Sequence, residues 1–120
     1  MRVLVAGLGN MGLSHALAHH AHPGVDLVGL VNRSAVPLPE ALRAVPFHAD
    51  FHAGLAATRP DVVVIATYTD SHADYAIAAM EAGAHVFVEK PLAATVEDAQ
   101  RVVDCARRLG RKLVVGYILR

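Results

Sequence analysis

The chain has 120 residues, enough for one domain with a buried core. Eleven basic and eleven acidic residues leave a formal charge of zero with no basic tract, so neither nucleic acid nor an anionic membrane is an expected partner. Hydrophobic residues make up 54%, yet no apolar run approaches the roughly 20 residues that span a bilayer.

Residues 3–6 read as a first strand, starting so near Met1 that no basic leader precedes it and a secretory signal is not expected. Gly7, Gly9 and Gly12 follow in the spacing G-x-G-x-x-G, and a helix is expected over residues 10–21, with Leu13, Ala16, Leu17 and Ala21 on one face. That order suits a dinucleotide pyrophosphate. Gly7 permits a tight turn, Gly9 has no Cβ to block the phosphates, and Gly12 lets the helix pack closely. The helix N-terminus then offers N–H groups and dipole charge. Gly7, Gly9, Asn10, Met11 and Gly12 are therefore the candidate phosphate-binding residues.

Pro23-Gly24 ends this helix, and a second strand over residues 25–31 stops at Asn32-Arg33-Ser34. In dinucleotide folds an acid about 20 residues beyond the glycines holds the ribose hydroxyls of NAD. Asn32 occupies that place, no carboxylate repels a 2′-phosphate, and Arg33 with Ser34 can bind one, so NADP is favoured over NAD. The competing reading leaves Arg33 solvated and Asn32 on an NAD ribose.

Pro37, Pro39 and Pro46 confine any following helix to residues 40–44. A short third strand falls at residues 46–48 and a helix at 51–58. The β-branched run over residues 62–66 is the central strand. It delivers Ala66, Thr67 and Tyr68 to the same edge as the glycines, with His72 in the next helical turn. Asp70 or Ser71 is expected to cap that helix, with Asp74 completing a capping box on Ser71, and Gly83 stops it. A fifth strand over residues 85–89 ends at Glu89-Lys90-Pro91. Thr95, with Asp98 three residues on, opens the last helix, Arg107 and Arg108 complement its dipole, and Gly110 closes it. Residues 112–116 make a sixth strand, followed by Tyr117. The alternation gives an α/β fold: a doubly wound (Rossmann), mostly parallel six-stranded sheet with helices on both faces, in one domain over residues 1–120.

The ends of strands four, five and six should meet around the nicotinamide end of a cofactor lying on the glycine loop. Lys90 there can hydrogen-bond a substrate hydroxyl and stabilise negative charge developing on oxygen. His15 and His19 are an i, i+4 pair, but no acid or thiol nearby completes a ligand set, so no metal is expected. His19, His20 and His22 read as surface residues, and Cys105 as a half-buried structural thiol. A single cysteine excludes an intrachain disulfide and fits a cytoplasmic location.

Val62-Val63-Val64-Ile65-Ala66-Thr67, His72, Ala76, and the run Glu81-Ala82-Gly83-Ala84-His85-Val86-Phe87-Val88-Glu89-Lys90-Pro91-Leu92-Ala93 resemble the glucose–fructose oxidoreductase, inositol dehydrogenase and MocA (Gfo/Idh/MocA) family. The glycine loop, His15, and Val115-Gly116-Tyr117 with Arg120 fit the same pattern, so the resemblance runs over residues 1–120 and covers the family's cofactor half. It implies an NAD- or NADP-dependent oxidoreductase acting on a sugar, cyclitol or related alcohol or carbonyl. Lys90 would lie between nicotinamide and substrate, with Glu89 and Pro91 beside it, the Lys90–Pro91 bond cis, and His15 packed under the loop. Tyr68 departs from the family, which often has proline there.

Family members continue into a second α/β domain supplying most of the substrate pocket, a catalytic His or Asp and the homo-oligomer interface. No such domain is read in these 120 residues, so the chain alone is expected to bind cofactor with little turnover. The second reading is a stand-alone, non-catalytic dinucleotide-binding module that senses redox state or scaffolds a partner.

Overall fold

Strands and helices alternate throughout residues 1–116, which are those the computed structural model describes. In chain order they are β1 (Arg2–Ala6), α1 (Asn10–Ala21), β2 (Asp26–Val31), a 3-10 turn (Glu40–Leu42), β3 (Phe47–His48), α2 (Phe51–Thr58), β4 (Val62–Ile65), α3 (Thr69–Glu81), β5 (His85–Glu89), α4 (Val96–Leu109) and β6 (Leu113–Gly116). Tyr117 and Arg120 lie outside the described residues.

The strands form one six-stranded sheet in the order β3-β2-β1-β4-β5-β6. Every pairing is parallel, so the mixed character allowed for above is absent among the described residues. Alternation along β1 explains the two layers. Val3 and Val5 pack with Ala16 of α1 and Leu42 of the 3-10 turn on one face. Leu4 and Ala6 join Phe51, Ala76, Met80 and Val102, from α2, α3 and α4, on the other. A strand covered on both sides must be apolar where it is covered, as residues 3–6 of β1 and all of β4 are.

The chain winds outward from β1 through β2 to β3, then returns to β4 on the other side of β1. At that reversal the connections leave to opposite faces, and a crevice opens beyond the strands' C-terminal ends.

Three local expectations need correction. The stretch near residue 40 makes only a single 3-10 turn, Glu40–Leu42, because three prolines bracket it. α3 starts at Thr69, and its N-cap, Tyr68, makes no side-chain capping bond. Ser71 Oγ instead donates to the Tyr68 carbonyl at 2.7 Å and lies 2.6 Å from Thr67 Oγ1, drawing Thr69 and Asp70 into the first turn. Asp74, a capping partner in the sequence reading, faces outward toward Arg101 at 3.7 Å. Cys105 is buried rather than half-buried.

The helix stops behave as read. Gly83 takes φ 99°. Ala84 N–H donates to the Ala79 carbonyl and Gly83 N–H to that of Met80, both at 3.0 Å, the paired bonds of a Schellman motif. Thr95 Oγ1 accepts from the Asp98 N–H at 3.1 Å, capping α4.

Candidate functional site

The crevice begins with the turn out of β1. Gly7 adopts φ 93°, a conformation open to glycine, and a Cβ there would fall 2.5 Å from the Ala66 carbonyl carbon and oxygen. A Cβ at Gly12 would fall 1.7 Å from the Gly7 carbonyl oxygen. Gly12 therefore admits the loop's own backbone, more than the sheet face, against α1. A Cβ at Gly9 would meet nothing within 4 Å. Only Gly9, of the three, faces open space.

α1 opens at Gly9, whose carbonyl accepts the first helical bond, from Leu13 N–H at 2.9 Å. The N–H groups of Asn10, Met11 and Gly12 precede that bond and have no helical acceptor upstream. They converge with the helix dipole on the space beside Gly9, which suits an anion.

A cavity of about 580 Å³ occupies this position, within the range of small-molecule sites. Gly7, Gly9, Asn10 and Met11 of the loop line it, as do Asn32, Arg33 and Ser34 after β2 and Ala66, Thr67 and Tyr68 after β4. Ten of the expected site residues, from three separate stretches, thus line one cavity. Leu8, Val31, Val36, Ala49, Ser71 and Tyr75 also line it and were not anticipated. The spacing 68, 71, 75 on α3 was a readable signal for two of these, since such residues share a helix face. Tyr75 is stacked on Phe51 with centroids 4.1 Å apart, which fixes its ring. Ala49 and Val36 come from irregular chain and carry no sequence signal.

Asn32 is occupied with the loop. Its Oδ1 accepts from Leu8 N–H at 3.1 Å and its Nδ2 donates to the Ser34 carbonyl at 2.8 Å. The exposed groups beyond β2 are the Arg33 guanidinium and the Ser34 hydroxyl.

Gly12, His72, Glu89, Lys90 and Pro91 do not line the cavity. His72 is 2% exposed and sits behind the wall, with Nδ1 2.8 Å from the Pro91 carbonyl and Nε2 2.9 Å from the Thr67 carbonyl. The Lys90–Pro91 bond is cis. Lys90 is exposed at the end of β5, and its N–H donates to the Gly116 carbonyl at 3.3 Å. Glu89 bonds Nε2 of His15, so this histidine meets the β5 terminus rather than only underlying the loop. His19, read as a surface residue, is half-buried. Burial, then the like charges of His15 and His22, push its imidazole below the ordinary histidine range.

Tyr68 is 84% exposed, with φ −65° and ψ 148°. That φ is the value to which a proline ring is fixed, so the proline that the resemblance leads one to expect here is compatible with the φ that Tyr68 adopts.

Residues 1–117 match the family model GFO_IDH_MocA, described as "Oxidoreductase family, NAD-binding Rossmann fold". The chain is 36% identical over 123 aligned residues to 4-carboxy-2-hydroxymuconate-6-semialdehyde dehydrogenase of Sphingobium sp., covering 100% of this chain and 39% of that protein. It is 40% identical over 87 residues to inositol 2-dehydrogenase of Klebsiella pneumoniae, covering 72% of this chain and 25% of that enzyme. Its fold superposes with a TM-score of 0.83 on the WlbA dehydrogenase of Chromobacterium violaceum, solved in complex with NADH and UDP-GlcNAcA, at 29% identity over 97% of this chain and 34% of that one. The chain spans 25% and 39% of the length of the two curated relatives.

Proposed function

The chain belongs to the GFO_IDH_MocA oxidoreductase family, and from that premise we propose that residues 1–120 are the cofactor half of a dehydrogenase acting on a sugar, cyclitol or related alcohol or carbonyl. The observation that carries this reading is the cavity at the β1/β4 reversal, where Gly9 leaves open space before the α1 N-terminus. The residues fit a nicotinamide dinucleotide. Gly9, Asn10 and Met11 suit its pyrophosphate, the stretch Asn32–Ser34 its adenine-side ribose, and Ala66, Thr67 and Tyr68 the opposite wall. A bound cofactor of this kind supplies the hydride donor or acceptor.

Lys90 follows β5, which pairs with β4 in parallel, so its backbone leaves the sheet at the same C-terminal edge as the crevice. It is assigned as the catalytic group, holding a substrate oxygen and stabilising the negative charge that grows there. Glu89 and Pro91 frame it. The proton-transferring base and most of the substrate pocket belong to a further domain, which in a full-length protein also forms the homo-oligomer contact.

NADP is favoured over NAD. Support comes from the engagement of the Asn32 amide by Leu8 and Ser34, which leaves Arg33 and the Ser34 hydroxyl in the cavity lining as the groups to meet a 2′-phosphate. Titration of the chain with NADPH and NADH, followed by nicotinamide fluorescence, tests both parts. NADPH should bind about tenfold more tightly, as expected of a charge-assisted contact, and Arg33→Ala should remove that margin while leaving NADH binding unchanged. Equal affinities unaffected by Arg33→Ala would overturn the NADP assignment, and saturation with neither nucleotide would overturn the functional reading.

A further inference from the structure

Two histidines outside the cavity lining hold the ends of the Glu89-Lys90-Pro91 turn. His15, on α1, bonds the Glu89 carboxylate through Nε2 and sets its ring edge against Phe87 with centroids 5.1 Å apart. His72, in the first turn of α3, reaches the Pro91 carbonyl at 2.8 Å and the Thr67 carbonyl at 2.9 Å from a site 2% exposed. Thr67 lines the cavity, and its hydroxyl meets that of Ser71, another lining residue, at 2.6 Å.

We infer that His15 and His72 are positioning residues: together they fix Lys90 relative to the cofactor cavity, His72 by tying the β4 wall to Pro91 and His15 by tying α1 to Glu89. The chemistry of the contacts supports the division of labour. Both partners of His72 are carbonyl oxygens, which only accept, so His72 holds them as the donor. Each of these part-buried carbonyls loses its donor when the imidazole is removed, which should loosen the link between β4 and the turn. His15 gives the same turn a second attachment, from the helix whose N-terminus faces the phosphates. Lys90 lies between the two attached residues, so displacement of either neighbour displaces its backbone.

The inference rests on the proposed placement of Lys90 at the nicotinamide end. ADP-ribose and NADH separate the two ends, because ADP-ribose lacks the nicotinamide. The chain and its His72→Leu, His72→Gln and His15→Gln variants are titrated with both, and the emission of bound NADH is recorded. Circular dichroism confirms that each variant folds. The unsubstituted chain should bind NADH more tightly than ADP-ribose. His72→Leu should keep ADP-ribose affinity within about twofold but weaken NADH about fivefold and move its emission toward that of free NADH. His72→Gln, which retains one donor group, should show a smaller loss, and His15→Gln should shift the emission likewise. If His72→Leu fails to fold, the two glutamine variants carry the test.

NADH and ADP-ribose affinities falling in parallel, or neither changing, would overturn the inference and leave both histidines as purely structural. If the unsubstituted chain does not distinguish NADH from ADP-ribose, the placement of Lys90 fails first and the inference falls with it.

Discussion

A Cβ at Gly9 would meet no atom within 4 Å, whereas one at Gly12 would sit 1.7 Å from the Gly7 carbonyl oxygen. Substitutions three residues apart should therefore fail in different ways. Gly9→Ala should cost no more than about 1 kcal/mol of stability, the margin by which glycine exceeds alanine as an N-cap, yet weaken dinucleotide binding about tenfold or more, equivalent to ~1.4 kcal/mol. Gly12→Ala should cost about 1–3 kcal/mol or more of stability through overpacking; denaturant unfolding and fluorescence titration distinguish the two. The glycines were legible because each role follows from a missing Cβ. Ala49 and Tyr75 were not, because they reach the cavity only through the packing of distant elements. His72 fell between these cases: its place near the crevice was readable, but its direction depended on where α3 begins. The titration of His19 is also a residue-scale matter. Its imidazole is held below the usual range by burial and by His15 and His22, so the folded chain binds fewer protons there than the unfolded one. The resulting stability is present above the unfolded value of about 6.5 and is lost as the pH falls through the lower folded value. The melting temperature should decline as pH is lowered from neutrality, and His19→Gln should flatten that decline. An unchanged slope would remove His19 as a source.

Element boundaries depend on local bonds whose partners the sequence offers in excess. At α3, Asp70, Ser71 and Asp74 all suited a capping pattern, yet the Ser71 hydroxyl bonds the Tyr68 carbonyl and the helix starts at Thr69. At α4, with Thr95 followed by Asp98, the capping side chain was read directly, and the bond to Asp98 N–H is present at 3.1 Å. Thr95→Ala should therefore cost about 1 kcal/mol in denaturant unfolding. Ser71→Ala, which removes no cap, should affect the α3 N-terminus through Thr67 and Tyr68 rather than through Asp74. Strands were easier than caps. The Val62–Ile65 run of β4 has β-branched residues throughout and lies at the sheet centre beside β1, where both faces require apolar side chains. The two-residue β3 and the single turn at Glu40–Leu42 owe their form to nearby prolines and to sheet pairing, which local pattern resolves poorly.

For the whole molecule, the position of the acid–base groups sets what this chain can do alone. The described residues form a cavity suited to a dinucleotide, but the two histidines beside the Glu89-Lys90-Pro91 turn are committed to the frame. His15 meets Glu89, and His72 meets two carbonyls. In the proposed function Lys90 contributes a cation to the reaction, while hydride transfer from an alcohol also requires a group that removes its proton. Cofactor binding and turnover should therefore separate. A ligand that binds only the folded chain stabilises it by mass action, about 2.7 kcal/mol at a concentration 100 times Kd. NADPH or NADH should raise the melting temperature in a concentration-dependent way. The same preparation, supplied with oxidised cofactor and myo-inositol or glucose, should produce no reduced nicotinamide above background. Thermal shift and nicotinamide absorbance on one sample check both halves: turnover would mean that a base lies within this chain, and absence of a thermal shift would mean that the cavity does not hold the cofactor.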